Sequence, residues 1–266
     1  LGSPRTQQRS KNERERTKQE KGQETGGRPP KKESFQEARN ARILPLVAKS
    51  QAQKTALAAF TEQQLVVLSG SAGTGKTELM VWVASKLWLE GKIDNIVICR
   101  PHQSLGNDYG AVTGNDTQKL LPFCMSMLMK FKKYLGVDIL QANFRYEVQE
   151  SLFQEASGIQ IVPIEKIQGL SFGPKTIILA DELQNAYPAQ IKALVTRAEE
   201  GCQLICAGDI TQSALREADN GLRKLEEALA KYPHPDAVVV KFTPADNCRS
   251  GIAGHLASIF EAQGAW

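Results

Sequence analysis

The run Gly70-Ser71-Ala72-Gly73-Thr74-Gly75-Lys76-Thr77 meets the spacing G-x-x-x-x-G-K-[ST] at every fixed position. That spacing suits one task, holding the phosphate tail of a nucleotide. Three glycines let the backbone curl until its N–H groups face an anion. A helix starting at the loop adds the positive end of its dipole to the same anion. Lys76 has the reach and charge for the β- and γ-phosphates, and Thr77 has a hydroxyl for Mg²⁺. The alternative is an ordinary glycine-rich turn. The flanks argue against it, because the apolar run Leu65–Leu68 reads as a strand and Glu78 to Leu89 as a helix.

Such a loop needs partners, and the chain offers a set. Asp181-Glu182 follows the apolar run Ile177-Ile178-Leu179-Ala180, which is how a Walker B strand reads. Asp181 is expected to bind Mg²⁺ and Glu182 to polarise the attacking water. Gly208-Asp209 with Gln212 follows the next strand, placing Gln212 as a sensor of the γ-phosphate held by Asp209. Arg249, in Cys248-Arg249-Ser250, is suited to charge developing on a transferring phosphoryl group. Gln53 lies upstream on a helix, where an amide presents donor and acceptor together to an adenine edge. Gln51 competes for that role. Arg100 and Arg197 stand near predicted element ends and are candidates for nucleic-acid phosphates or a neighbour's nucleotide.

These residues need a scaffold, and the pattern of apolar runs supplies one. Strands are expected at 65–69, 94–99, 159–163, 176–180, 202–207 and 237–242. Helices are expected at 34–42, 50–60, 78–89, 144–156, 189–199, 213–231 and 250–262, with Ser50 as an N-cap and Gly221 inside the 213–231 helix. Residues 117–135 read as helix broken at Pro122. Residues 102–116 read as an irregular loop, and 164–169 as a short turn or helix. Strands alternating with helices predict an α/β fold, a parallel sheet covered by helices on both faces. Ligands on such sheets bind at the carboxyl ends of the strands, where most of the candidates above fall.

Composition adds bounds. With 266 residues and 41% apolar content, the chain has enough material for a sizeable core. Residues 1–42 hold twelve Lys/Arg against six Asp/Glu, leaving 21 against 23 for the remainder. Residues 1–42 therefore read as a basic, disordered arm, and 43–266 as a single domain. Leu1-Gly2-Ser3 has the look of a protease-site scar. No apolar run reaches the roughly 18 residues needed to span a bilayer. Five cysteines, mostly in apolar surroundings, point to reduced thiols in a cytosol rather than to disulfides or zinc.

Taken together, Gly70 to Thr77, Cys99-Arg100-Pro101, Gly110 with Gly114 and Lys119, Asp181-Glu182 with Gln184-Asn185, Thr196-Arg197, Gly208-Asp209 with Gln212, and Cys248-Arg249 resemble the PhoH-like family of P-loop ATPases. Those look like the first RecA-type domain of superfamily 1 helicases. The resemblance implies a RecA-like fold over about residues 45–262, ATP and Mg²⁺ as ligands, ATP hydrolysis, and a link to RNA or single-stranded DNA. It suits a bacterial cytosol or one infected by phage. Where the family often carries Arg-Gly-Arg-Thr before Walker B, this chain has Gln168-Gly169-Leu170-Ser171. No residues remain for the nuclease domain that some relatives carry. One phosphate loop and one sheet predict that Arg249 serves a neighbouring subunit in a closed ring, six-membered by expectation. The rival readings are a P-loop kinase with 102–116 as its lid, and a nucleotide-gated binding module.

Overall fold

The computed structural model describes residues 44–102, 116–145 and 157–249, with Gly251, Ile252, Leu256 and Ile259 beyond them. The arm, the helices expected at 34–42 and 250–262, and nearly all of the 102–116 loop lie outside the described residues or mostly so.

The short apolar runs become parallel strands. They are β1 (Leu65–Gly70), β2 (Asn95–Arg100), β3 (Phe144–Arg145), β4 (Gly158–Pro163), β5 (Thr176–Ala180), β6 (Gln203–Gly208) and β7 (Ala237–Phe242). They form one sheet in the order β3-β4-β2-β5-β6-β1-β7, every pair parallel. Successive strand residues point to opposite faces, and both sets are buried. On one face Val67, Val97, Val162, Ile178, Leu204 and Cys206 pack with Ile191, Leu194, Leu222 and Leu225. The alternate residues Val66, Leu68, Ile96, Ile98, Ile177 and Ile205 are at most 1% exposed. Two-sided burial is why these strands read as continuous apolar runs.

The helices are α1 (Gln51–Glu62), α2 (Lys76–Leu89), α3 (Asp116–Leu135), α4 (Val137–Asn143), α5 (Pro188–Val195) and α6 (Gly221–Lys231). Ser50 caps α1 as expected, its hydroxyl accepting the Gln53 N–H. None of the described helices is long and apolar enough to cross a membrane.

Several expected elements are redrawn. Helix α3 runs unbroken through Pro122. Pro122 is exposed, while Leu120, Cys124, Met127 and Phe131 bury one side across it. That packing outweighs the one amide that proline lacks. Helix α6 starts at Gly221 rather than 213, because Asn220 caps it through the Arg223 N–H. Gly221 is there for space: a Cβ would stand 2.5 Å from Ile191 and 2.6 Å from the Ala186 carbonyl. Two short 3-10 turns, Ile210–Gln212 and Glu217–Asp219, fill the stretch before it. Helix α5 ends at Val195, and Ala198 forms a parallel bridge with Phe172 instead of extending the helix. The expected helix at 144–156 opens as edge strand β3, and residues 146–156 lie outside the described ones. Helix α4 had no counterpart among the expectations.

Glu78, in the first turn of α2, ties that helix to α3. Its Oε1 lies 2.6 Å from Lys133 Nζ and 2.5 Å from the Tyr134 hydroxyl, and its Oε2 lies 3.2 Å from Lys130 Nζ. Partial burial pushes the carboxyl pKa up, but the bonds from Lys133, Tyr134 and Lys130 outweigh it and bring the value from 4.5 to about 2. The unfolded chain therefore takes up this proton first. The stabilisation is complete above pH 4.5 and is lost as pH falls towards 2. Glu78→Gln is expected to cost about 1 kcal/mol near pH 7, a figure reduced for solvent screening. Urea unfolding of both proteins should show that difference shrinking between pH 4.5 and pH 3; a constant gap would remove the assignment.

Candidate nucleotide site

Strand order decides what meets at the phosphate loop. β6 lies between β1 and β5, and β7 flanks β1 on its other side. The loop after β1, the carboxylates after β5, the Gln212 segment after β6 and the Arg249 segment after β7 therefore converge at one end of the sheet. They line a cavity of about 870 Å³.

The loop has the backbone that its glycines suggest. Gly73 and Gly75 have φ of 78° and 88°, in the left-handed region that glycine enters without strain. At Gly70 a Cβ would fall 1.8 Å from the Phe242 carbonyl oxygen, so β7 passes too close for any side chain there. Lys76 Nζ donates to the carbonyls of Gly70 at 2.5 Å and Ser71 at 2.8 Å. The Thr74 hydroxyl donates to Ser71 O at 2.9 Å. Asp181 stands next to Thr77, whose Oγ1 donates to Asp181 Oδ2 at 3.1 Å. Burial raises the pKa of Asp181 and neighbouring Glu182 raises it further, while Arg100 and the bonds from the Glu182 N–H and Thr77 oppose them. Asp181 and Thr77 are hard oxygen donors side by side at the end of the phosphate loop. That sparse set fits a magnesium ion that keeps most of its waters.

Glu182 lines the cavity beside them. Asp209 bonds Gln212 through its main-chain carbonyl rather than its carboxylate. Its Oδ1 takes the N–H and hydroxyl of Thr211 at 3.0 and 2.6 Å, while the Gln212 N–H meets the Asp209 carbonyl at 3.0 Å. The Gln212 side chain is left exposed at the cavity wall.

Arg249 lies close to Gly73 of its own chain. A Cβ on Gly73 would lie 2.9 Å from Arg249 Nε, and the Cys248 N–H donates to Gly73 O at 2.9 Å. The arginine thus lies over its own chain's loop, because β7 is β1's neighbour and delivers it there. Gln53 lines the cavity and is bonded at both ends of its amide. Its Oε1 accepts the Lys49 N–H at 2.7 Å, and its Nε2 donates to Thr74 O at 2.8 Å and Cys248 Sγ at 3.1 Å. It thereby also buttresses the phosphate loop. Its rival Gln51 is exposed on the first turn of α1.

Arg100 Nη1 donates to Phe123 O at 2.7 Å and its Nη2 lies 3.7 Å from Glu182 Oε1. Arg197 is away from the cavity and donates to Gln168 O at 3.1 Å, pinning the 3-10 turn Ile164–Gly169.

Two walls of the cavity were not anticipated. Leu44, Pro45, Leu46 and Val47 form an apolar one, anchored where Trp82 Nε1 donates to Leu44 O at 3.1 Å. Ser126, Lys130 and Lys133 of α3 form a polar one. Their spacing of four and three residues is a helical stripe, and that pattern was the available signal.

All five cysteines are free thiols, and only Cys248 is not fully buried. Burial raises Cys202 and Cys206 to about 12 and, against the pull of Arg100, Cys124 to about 11. A maleimide under native conditions is expected to modify Cys248 alone, and more slowly with nucleotide bound, because Cys248 lines the cavity. Peptide mapping reads this; equal labelling of Cys206 would contradict it.

A phosphate loop and a paired-carboxylate strand, separated by one strand in an all-parallel sheet, make this a RecA-like P-loop NTPase. The family model described as PhoH-like protein matches residues 45–261, and the chain belongs to that family. Protein PhoH of Escherichia coli (strain K12) is 30% identical over 218 residues, covering 81% of this chain and 58% of that protein. The PhoH-like protein of Bacillus subtilis (strain 168) is 30% identical over 192 residues, covering 72% and 57%. The chain thus spans less than two thirds of the length of these relatives. Among solved structures, the large terminase from a thermophilic bacteriophage shares 12% identity at a TM-score of 0.48, over 80% of this chain and 51% of that one. The UvsW helicase from bacteriophage T4 shares 12% at 0.45, over 82% and 69%.

Proposed function

We propose that this protein hydrolyses ATP with Mg²⁺ and couples the hydrolysis to RNA or single-stranded DNA. The observation that carries the hydrolysis is the 3.1 Å contact between Thr77 Oγ1 and Asp181 Oδ2 beside Glu182. Two segments 104 residues apart there assemble the hard-oxygen pair that a nucleotide-bound magnesium needs. When bound, the ion neutralises charge on the β- and γ-phosphate oxygens.

The remaining work falls to the chain. Loop amides from Ser71 to Thr77 hold the phosphates, and Lys76 exchanges its carbonyl partners for β- and γ-oxygens. Glu182 orients and polarises the water. Gln212 reads the γ-phosphate from the exposed wall. Arg249, already against Gly73, stabilises the charge that develops on the phosphoryl group. The apolar wall Leu44–Val47 suits the base. Arg249 lies against its own loop in the single chain, and in a closed ring, six-membered by expectation, it would serve a neighbouring subunit's site.

The test is nucleotide turnover with and without single-stranded RNA and DNA, on material of measured mass. Expected are ADP and inorganic phosphate in equal amounts, turnover by a closed ring, and stimulation by one of the strands that weakens with salt. ADP accompanied by a phosphorylated acceptor would make the protein a kinase. Full turnover by a monomer would remove the ring and keep Arg249 at its own chain's site. No response to either strand would remove the coupling.

A further inference from the structure

The carboxylate of Glu182 is held at both oxygens. Gln184 Nε2 donates to Oε2 at 2.6 Å, and Arg100 Nη2 lies 3.7 Å from Oε1. The backbone at Glu182 is left-handed, with φ 59° and ψ 34°. A residue with a Cβ keeps that conformation only where its surroundings impose it.

Gln184 is fixed in turn. It is 2% exposed. Its Oε1 accepts the Asp209 N–H at 3.1 Å, and its main-chain carbonyl accepts the Ser213 hydroxyl at 2.7 Å. A primary amide carries donor and acceptor on one rigid plane. Here the donor end faces the strand β5 carboxylate and the acceptor end faces the first residue after β6. The Gln212 N–H bonds the carbonyl of that same Asp209 at 3.0 Å. The connection from Glu182 to Gln212 is therefore continuous through Gln184 and Asp209. Neighbouring Asn185 adds a second tie, its Oδ1 accepting the Ala214 N–H at 3.0 Å.

We propose that Gln184 is a positioning residue of the hydrolysis. It locks the water-orienting carboxylate of Glu182 to the segment that bears Gln212, so that both address the γ-phosphate as one unit. This rests on the reading of Glu182 given above. Orientation is what a general base contributes beyond its basicity, and a misplacement of about 1 Å costs on the order of 10²-fold. Arg100 restrains the same carboxylate from the α3 side, through its bond to Phe123 O.

The experiment compares the full chain with Gln184→Met, Gln184→Glu, Glu182→Gln and the double variant Glu182→Gln/Gln184→Met. It measures kcat and KM for ATP, fluorescent-ADP affinity and Tm. Gln184→Met removes both ends of the amide. Gln184→Glu keeps the shape and the acceptor for the Asp209 N–H, and carries the test should the methionine variant not fold. In both, kcat is expected to fall about 10- to 100-fold while KM and ADP affinity stay near the parent values. The double variant should be no slower than Glu182→Gln alone, because residues acting as a unit do not add. A merely structural role would lower Tm and give losses that add. Parent-level kcat in a folded Gln184 variant, or additive losses, overturns the proposal. If Glu182→Gln itself turns over normally, the reading of Glu182 fails instead, and the two failures are told apart.

Discussion

Glu182→Gln is expected to bind ATP about as tightly as the parent chain and to turn it over about 10²- to 10⁴-fold more slowly, the range for loss of a general base. The exchange keeps the shape, turns one acceptor oxygen into an NH2 donor and removes the negative charge. The partners of the Glu182 carboxylate are Gln184 and Arg100, and the residue's own N–H goes to Asp181 Oδ1 at 3.0 Å. These bonds lie outside the phosphate loop that grips the nucleotide. Binding should therefore survive. Measuring nucleotide affinity by equilibrium titration and kcat by phosphate release separates the two. A variant that loses both equally would show that Glu182 supports the site rather than acting on water.

Lys76→Ala is expected to impair binding and turnover together. Lys76 is 9% exposed, with its ammonium on the Gly70 and Ser71 carbonyls. In the proposed function the same charge meets phosphate oxygens, and a hydrogen bond to a charged group is worth about 1.5–3 kcal/mol. Affinity should drop about 10- to 100-fold on that account. The phosphoryl group gathers charge as it transfers, so kcat should fall further, about 10²-fold or more. The variant also leaves two loop carbonyls without their ammonium donor, and some loss of Tm is expected. A Lys76→Ala protein that hydrolyses ATP at the parent rate would contradict the assignment of the loop.

The contrast between these two residues separates what was readable in the chain from what was not. Lys76 is legible because its role follows from local spacing: a strand, a curl of glycines and a helix start, all close together in the chain. Asp181 and Glu182 are nearly as legible, since a run of apolar residues followed by two acids marks a buried strand leaving the sheet. Arg249 is legible by type, since a guanidinium suits phosphoryl transfer, but its place beside Gly73 depends on β7 pairing with β1, a contact that no local pattern encodes. The surroundings of Gln53 and Arg100 were hidden in the sequence for a related reason. Amides and guanidiniums suit many partners, and only the fold showed that theirs were the Thr74 carbonyl and the Glu182 carboxylate.

Helix limits followed the same division. Pro122 and Gly221 are local breakers by type, yet α3 passes through the first and α6 begins at the second. Burial of one face overrode the proline, and a space too small for a Cβ explains the glycine. Apolar runs and glycine spacing act over a few residues, so they were written openly in the order of amino acids: a parallel α/β sheet, a phosphate loop, and a carboxylate pair at a strand end. Which strand lies beside which is set by burying all these surfaces at once. That global packing, and nothing shorter in range, placed Thr77 against Asp181, Arg249 over Gly73, and Gln184 between Glu182 and Asp209.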